Sequence, residues 1–118
     1  MGERDTGPIC WWQTRWFVAL AALAATIPLL WPTVPPLVDL PGHMGRYRVQ
    51  LAIGSNPWLG EWYDFHWQLI GNLGIDLLVI PLAKLFGLEL AVKLIVMAIP
   101  ALIVTGLLWI AQIGRAHV

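Results

Sequence analysis

Three apolar runs and one polar stretch organise the chain. Trp16 to Trp31, WFVALAALAATIPLLW, contains no charge and is rich in the helix formers Ala and Leu. Leu94 to Ala111, LIVMAIPALIVTGLLWIA, is 18 residues without a charge, about 27 Å of helix at 1.5 Å per residue. Between them, Leu69 to Phe86 is apolar but carries Asn72, Asp76 and Lys84. A bilayer core about 30 Å thick takes roughly 20 mostly apolar residues to cross. The pattern therefore predicts an all-α membrane protein of about three transmembrane helices, over residues 16–32, 69–86 and 89–112. Pro32, Pro35 and Pro36 stop the first helix. Phe86–Gly87 ends the second, and the very short link predicts a tight helical hairpin with Glu89 and Lys93 opening the third. Residues 33–68 form an external loop carrying short amphipathic helices, and residues 1–15 a cytoplasmic N-terminus.

Composition sharpens this picture. The chain is 58% hydrophobic and only 12% charged, with seven basic and seven acidic residues cancelling; soluble domains carry about 25% charge. A nucleic-acid partner is not expected, since that needs a basic face. The single cysteine, Cys10, rules out a disulfide scaffold. Trp11, Trp12, Trp16 and Trp31 bracket the first run as interfacial aromatics do. No small-residue cleavage site follows it, so it reads as an uncleaved anchor rather than a signal peptide. Arg4, Arg15, Lys84 and Lys93 on one side, against Arg46 and Arg48 on the other, place the N-terminus in the cytoplasm of a multi-pass protein of the plasma (inner) membrane. Gly2 with Thr6 matches the loose myristoylation pattern, and Cys10 is a formal palmitoylation candidate; neither is needed by a chain already anchored by helices. The final Ile113–Val118 resembles a translated sequencing adapter. On that reading residues 113–118 are an artefact, and the natural protein continues past about residue 112.

Ionisable groups gather in the loop: Asp39, His43, Arg46, Arg48, Glu61, Asp64 and His66. Asp39 follows the proline-rich exit of the first helix, at the membrane surface. It suits two roles, a helix N-cap with Pro41 in the first turn and an acid-base carboxylate. His43 to Ile53 predicts an amphipathic helix, with His43, Arg46, Tyr47 and Gln50 on one side. Arg46 and Arg48 suit a lipid phosphate, which guanidinium grips in a bidentate way; the plain alternative is solvated or snorkelling arginines. Gly54-Ser55-Asn56-Pro57 predicts a turn. The aromatics beyond it, among them Trp58 and Trp62, read as an interfacial belt or as a platform for a sugar ring or polyprenyl chain. Asp39, His43, Glu61, Asp64 and His66 are divalent-metal donors in principle, yet no spacing among them demands a metal, and no cofactor is expected. Asp76 stands apart, because an intramembrane carboxylate is costly and often functional. Asn72, one turn earlier, is its expected hydrogen-bond partner; the alternatives are a helix-entry residue or one paired to a missing helix.

One anchor helix, an external loop opening on an acid, surface helices and then a close helical pair: this order, carried by PLVDLPGHMGRYRVQ and NLGIDLLVIPLAKLFG, resembles the N-terminal part of GT-C-type membrane glycosyltransferases. The likeness covers residues 11–112. It implies a full-length enzyme that moves a sugar from a polyprenyl-phosphate carrier, with Asp39 as the acid-base and with His43, Arg46 and Arg48 beside the carrier phosphate. Many such enzymes carry two adjacent acids here, whereas Asp39 is followed by Leu40. Related bacterial membrane proteins share the architecture without an assigned activity, and a non-enzymatic transporter or flippase-like protein is the competing expectation.

Overall fold

A computed structural model describes residues 8–116. Expectations resting on Gly2, Arg4, Thr6 and the last two residues of the 113–118 tail lie outside the described residues. Every regular element among the described residues is helical. A short 3₁₀ turn at Trp11–Gln13 leads into α1, Arg15–Leu30; α2 covers Leu40–Ala52, α3 Pro57–Trp62, α4 Leu73–Phe86 and α5 Leu88–Ala116.

Of the three predicted spans, one is met. Among the described residues, α5 alone is long and apolar enough to cross a membrane, over Leu88–Arg115. With 16 residues α1 reaches only about 24 Å, and with 14 residues α4 about 21 Å, both short of a 30 Å core. The shortfall in α4 has a local cause. Its predicted start at 69 moves to Leu73, because the Gly71–Asn72 turn precedes the helix and Asn72 sits at the N-cap. The third helix runs past its predicted end at 112 to Ala116, so the tail residues Ile113 and Arg115 continue α5.

The chain divides into two compact units, Trp31–Val96 and a second made of Met1–Leu30 with Met97–Val118. In the first, the buried side chains are Pro35 ahead of α2, Leu40 and Tyr47 of α2, Asp76 and Val79 of α4, and Ala91, Val92 and Val96 from the start of α5. Val79 and Ala91 are fully buried. Asp76 also stands in the first turn of α4, where a carboxylate complements the helix dipole. Gly87 alone links α4 to α5, as the short connection predicted. Its φ of 83° and ψ of 161° lie in a region open essentially to glycine. Its N–H donates to the Ala83 carbonyl and its own carbonyl accepts from Ala91, which ends one helix and starts the next.

Among the described residues of the second unit, only Val18 and Thr26 are buried. The Thr26 hydroxyl donates to the Leu23 carbonyl and that of Thr105 to Ala101, so each is satisfied within its own helix. At one end, the Gln112 amide donates to the Gln13 carbonyl. The Arg115 guanidinium lies 5.6 Å from the Trp12 ring centroid and 3.6 Å from Cys10 Sγ. Leu102, Ile103, Leu107, Trp109 and Ile110 of α5 stay exposed.

Candidate functional site

The α2 sequence places His43, Arg46, Tyr47 and Gln50 along one side by i, i+3, i+4 and i+7 spacing, and that side meets α4. Arg46 Nη2 donates to Asp76 Oδ2 at 2.7 Å. Asp76 is 1% exposed and the Arg46 side chain 34%. One turn along α2, Gln50 Nε2 donates to the Asp76 backbone carbonyl at 2.8 Å. Tyr47, between them in sequence, is 5% exposed, and the ring of His43 stacks on it at 6.2 Å. Burial pushes the Tyr47 phenol above its usual range, and the Asp76 charge adds to that while Arg46 opposes it. Two acceptors in the cluster, Asp76 Oδ1 and Gln50 Oε1, are buried without a hydrogen-bond partner.

This geometry corrects the expected Asn72–Asp76 pair. Asn72 is exposed at the N-cap, where its backbone carbonyl, not its side chain, accepts from Ile75 and Asp76. The partner of Asp76 is thirty residues away in sequence, so no helical spacing reports it. The legible signal was the polar side of α2; its target was not.

Asp39 occupies the N-cap position of α2, which starts at Leu40, three residues before the predicted His43, with Pro41 in the first turn as anticipated. The expected capping hydrogen bond is absent: the residue has φ −90° and ψ −10°, and its side chain makes no cap. The carboxylate is exposed. Arg46 and Arg48 do not converge. Arg46 faces Asp76 and a cleft of about 460 Å³ lined by Gly42, Gly45, Val49, Tyr63, Asp64 and Phe65. Arg48 is exposed and borders a separate hollow beside the α4–α5 corner, with Thr33, Glu89 and Lys93. Two residues apart on a helix, the two guanidinium groups point in opposed directions.

Trp58 and Trp62 sit one turn apart on α3, with ring centroids 6.3 Å apart, and both are largely exposed. Neither borders the cleft next to Arg46; Tyr63 and Phe65 do. The α3 helix itself begins as its Asn-Pro start allows, Asn56 Oδ1 accepting from the Trp58 N–H with Pro57 at the first position. Asp64 Oδ2 and His66 Nε2 make an exposed hydrogen-bonding contact at 2.9 Å. Among the described residues, no group of three His, Cys, Asp or Glu side chains gathers to hold a metal. No protein-family model matches the chain, and no match emerges among curated proteins or solved structures.

Proposed function

We propose that the chain is a membrane-inserted helical module. In this reading α5 spans the bilayer, α1 and α4 each enter it with local thinning of the lipid, residues 33–68 lie on the outer face and the N-terminus is cytoplasmic. One observation carries it. Only 6% of the apolar window of α5 is buried by the rest of the chain. A core helix of a soluble protein hides such a window, whereas one facing lipid does not. The test is alkaline extraction of the expressed chain from vesicles, with cysteine labelling at Ser55→Cys. Retention in the pellet and labelling by an external impermeant reagent are expected. Extraction into the aqueous phase, or protection of the cysteine, would overturn insertion or orientation respectively.

For activity, the reading is a GT-C-like glycosyltransferase that moves a sugar from a lipid-phosphate carrier when further helices complete the site. Asp39 is then the acid-base, exposed at the start of a surface helix. Arg48 is the freer of the two arginines to meet the carrier phosphate, because Arg46 already faces Asp76. Three helices do not enclose both carrier and acceptor, so the isolated chain is expected to turn nothing over. In a complete membrane-bound form, Asp39→Asn should abolish lipid-linked sugar consumption; unchanged consumption removes Asp39 from the chemistry.

A second reading, a non-enzymatic transporter or flippase-like protein, draws on a different observation. The buried charge lies on α4, and α1, α4 and α5 each contain an internal proline, as Pro28, Pro81 and Pro100. Translocation of a fluorescent lipid without sugar consumption would favour it.

A further inference from the structure

We propose that the cleft between α2 and residues 63–65 binds the headgroup of a zwitterionic phospholipid, phosphoethanolamine or phosphocholine in class. The proposal rests on the membrane reading above and names a ligand for the surface that reading sets against lipid.

The cleft brings a cation and an anion to one small volume. Arg46 and Asp64 both line it, in a space of about 460 Å³. Arginine offers five N–H donors, and Asp76 takes one of the two on Nη2. The Arg46 side chain is a third exposed, so its remaining donors are open to a phosphate oxygen. Asp64 is 84% exposed and gives Oδ2 to His66; Oδ1 remains for an ammonium group. Tyr63 and Phe65 flank Asp64 and line the same space, and aromatic faces attract ammonium and quaternary ammonium groups. Phe65 is held edge-on by Trp67 at 5.3 Å.

The floor of the cleft is open because Gly42 and Gly45, one turn apart on α2, carry no side chains. A Cβ built on either meets nothing within 4 Å. An anionic headgroup without an amine would satisfy Arg46 but face Asp64, with the Asp76 charge behind Arg46. Charge complementarity therefore selects the zwitterion. An amphipathic surface helix such as α2 lies at headgroup depth.

The experiment uses the full chain extracted in a nonionic detergent. Equimolar phosphatidylethanolamine and phosphatidylglycerol with matched acyl chains are added, and retained lipid is read by native mass spectrometry. The ethanolamine lipid should be retained about tenfold over the glycerol lipid, the worth of one charge-assisted contact. Asp64→Asn should bring the two to parity. Gly45→Leu, which fills the floor without meeting a neighbour, should remove the bound lipid while helicity by circular dichroism stays unchanged. Equal retention by the unmodified chain overturns the proposal. So does a preference that survives both substitutions. Displacement of the lipid by free phosphoethanolamine at equal concentration would assign the cleft to a soluble ligand and overturn it equally. A chain lost from the membrane pellet in alkali takes this inference down with the membrane reading; one retained there without lipid preference sinks this inference alone.

Discussion

The two units of this chain hold themselves together by opposite means. Residues Trp31–Val96 bury a charge on α4 and tie α2 to it, and the same unit buries Val79, Ala91 and Val92. Among its described residues, the unit of Met1–Leu30 with Met97–Val118 buries only Val18 and Thr26, and the Thr26 and Thr105 hydroxyls are satisfied inside their own helices. The first is held by a polar key inside a small core; the second is made of apolar helices that leave most of their surface exposed. A buried ion pair is a weak source of net stability but a strong source of registry, because each charge is costly without the other. Lipid-facing helices need no such key, since hydrocarbon solvates their side chains as well as a neighbour would.

The sharpest way to break this contrast is Arg46→Met. It leaves Asp76 buried and uncompensated, and should cost about 3–5 kcal/mol, measured by denaturation followed through tryptophan fluorescence in detergent. The double substitution Arg46→Met with Asp76→Leu should recover most of that loss. If the single variant is as stable as the unmodified chain, the ion pair does not organise the unit. The second largest effect belongs to the apolar unit. Leu102→Lys, at an exposed position of α5, should oppose insertion by about 2.5–3.5 kcal/mol, read by glycosylation mapping in a translocation assay. In an aqueous protein the same change at an exposed site would be near neutral.

Gly87→Ala tests the corner joining α4 to α5. Nothing crowds a Cβ there, so the cost is that of the backbone conformation, about 1–3 kcal/mol, read as a lowered midpoint in the same denaturation experiment. The smallest effect is expected from pH. The Tyr47 phenol is raised above its ordinary 10.0 in the folded chain, so the unfolded chain ionises first as pH climbs. The stability it contributes is complete below pH 10 and declines as pH rises through the folded value. Tyr47→Phe should flatten that alkaline decline; an identical decline in both chains would place its origin elsewhere.

Much of the helical content was legible because its signals are local. An uncharged run of Ala and Leu gives α1, Asp39 followed by Pro41 gives the start of α2, and Phe86–Gly87 gives the end of α4. The number of spans was read too generously, since hydropathy counts residues without knowing where a turn begins. Gly71 and Asn72 shorten α4 from within an otherwise apolar stretch. The polar side of α2 was visible in its i, i+3, i+4, i+7 spacing, yet the two loop arginines were assigned one phosphate when the folded helix sends them to different clefts.

Composition and periodicity thus suffice to make this chain helical and to give it one helix long and apolar enough to cross a membrane, because both depend on near neighbours and on transfer from water. That Asp76 is matched by Arg46 and Gln50, and that Arg46 shares a cleft with Asp64, are decided only when separate helices dock. Pairings across thirty residues leave no periodic trace, and burial, which sets the cost of an unmatched charge, does not exist until the chain has closed around it.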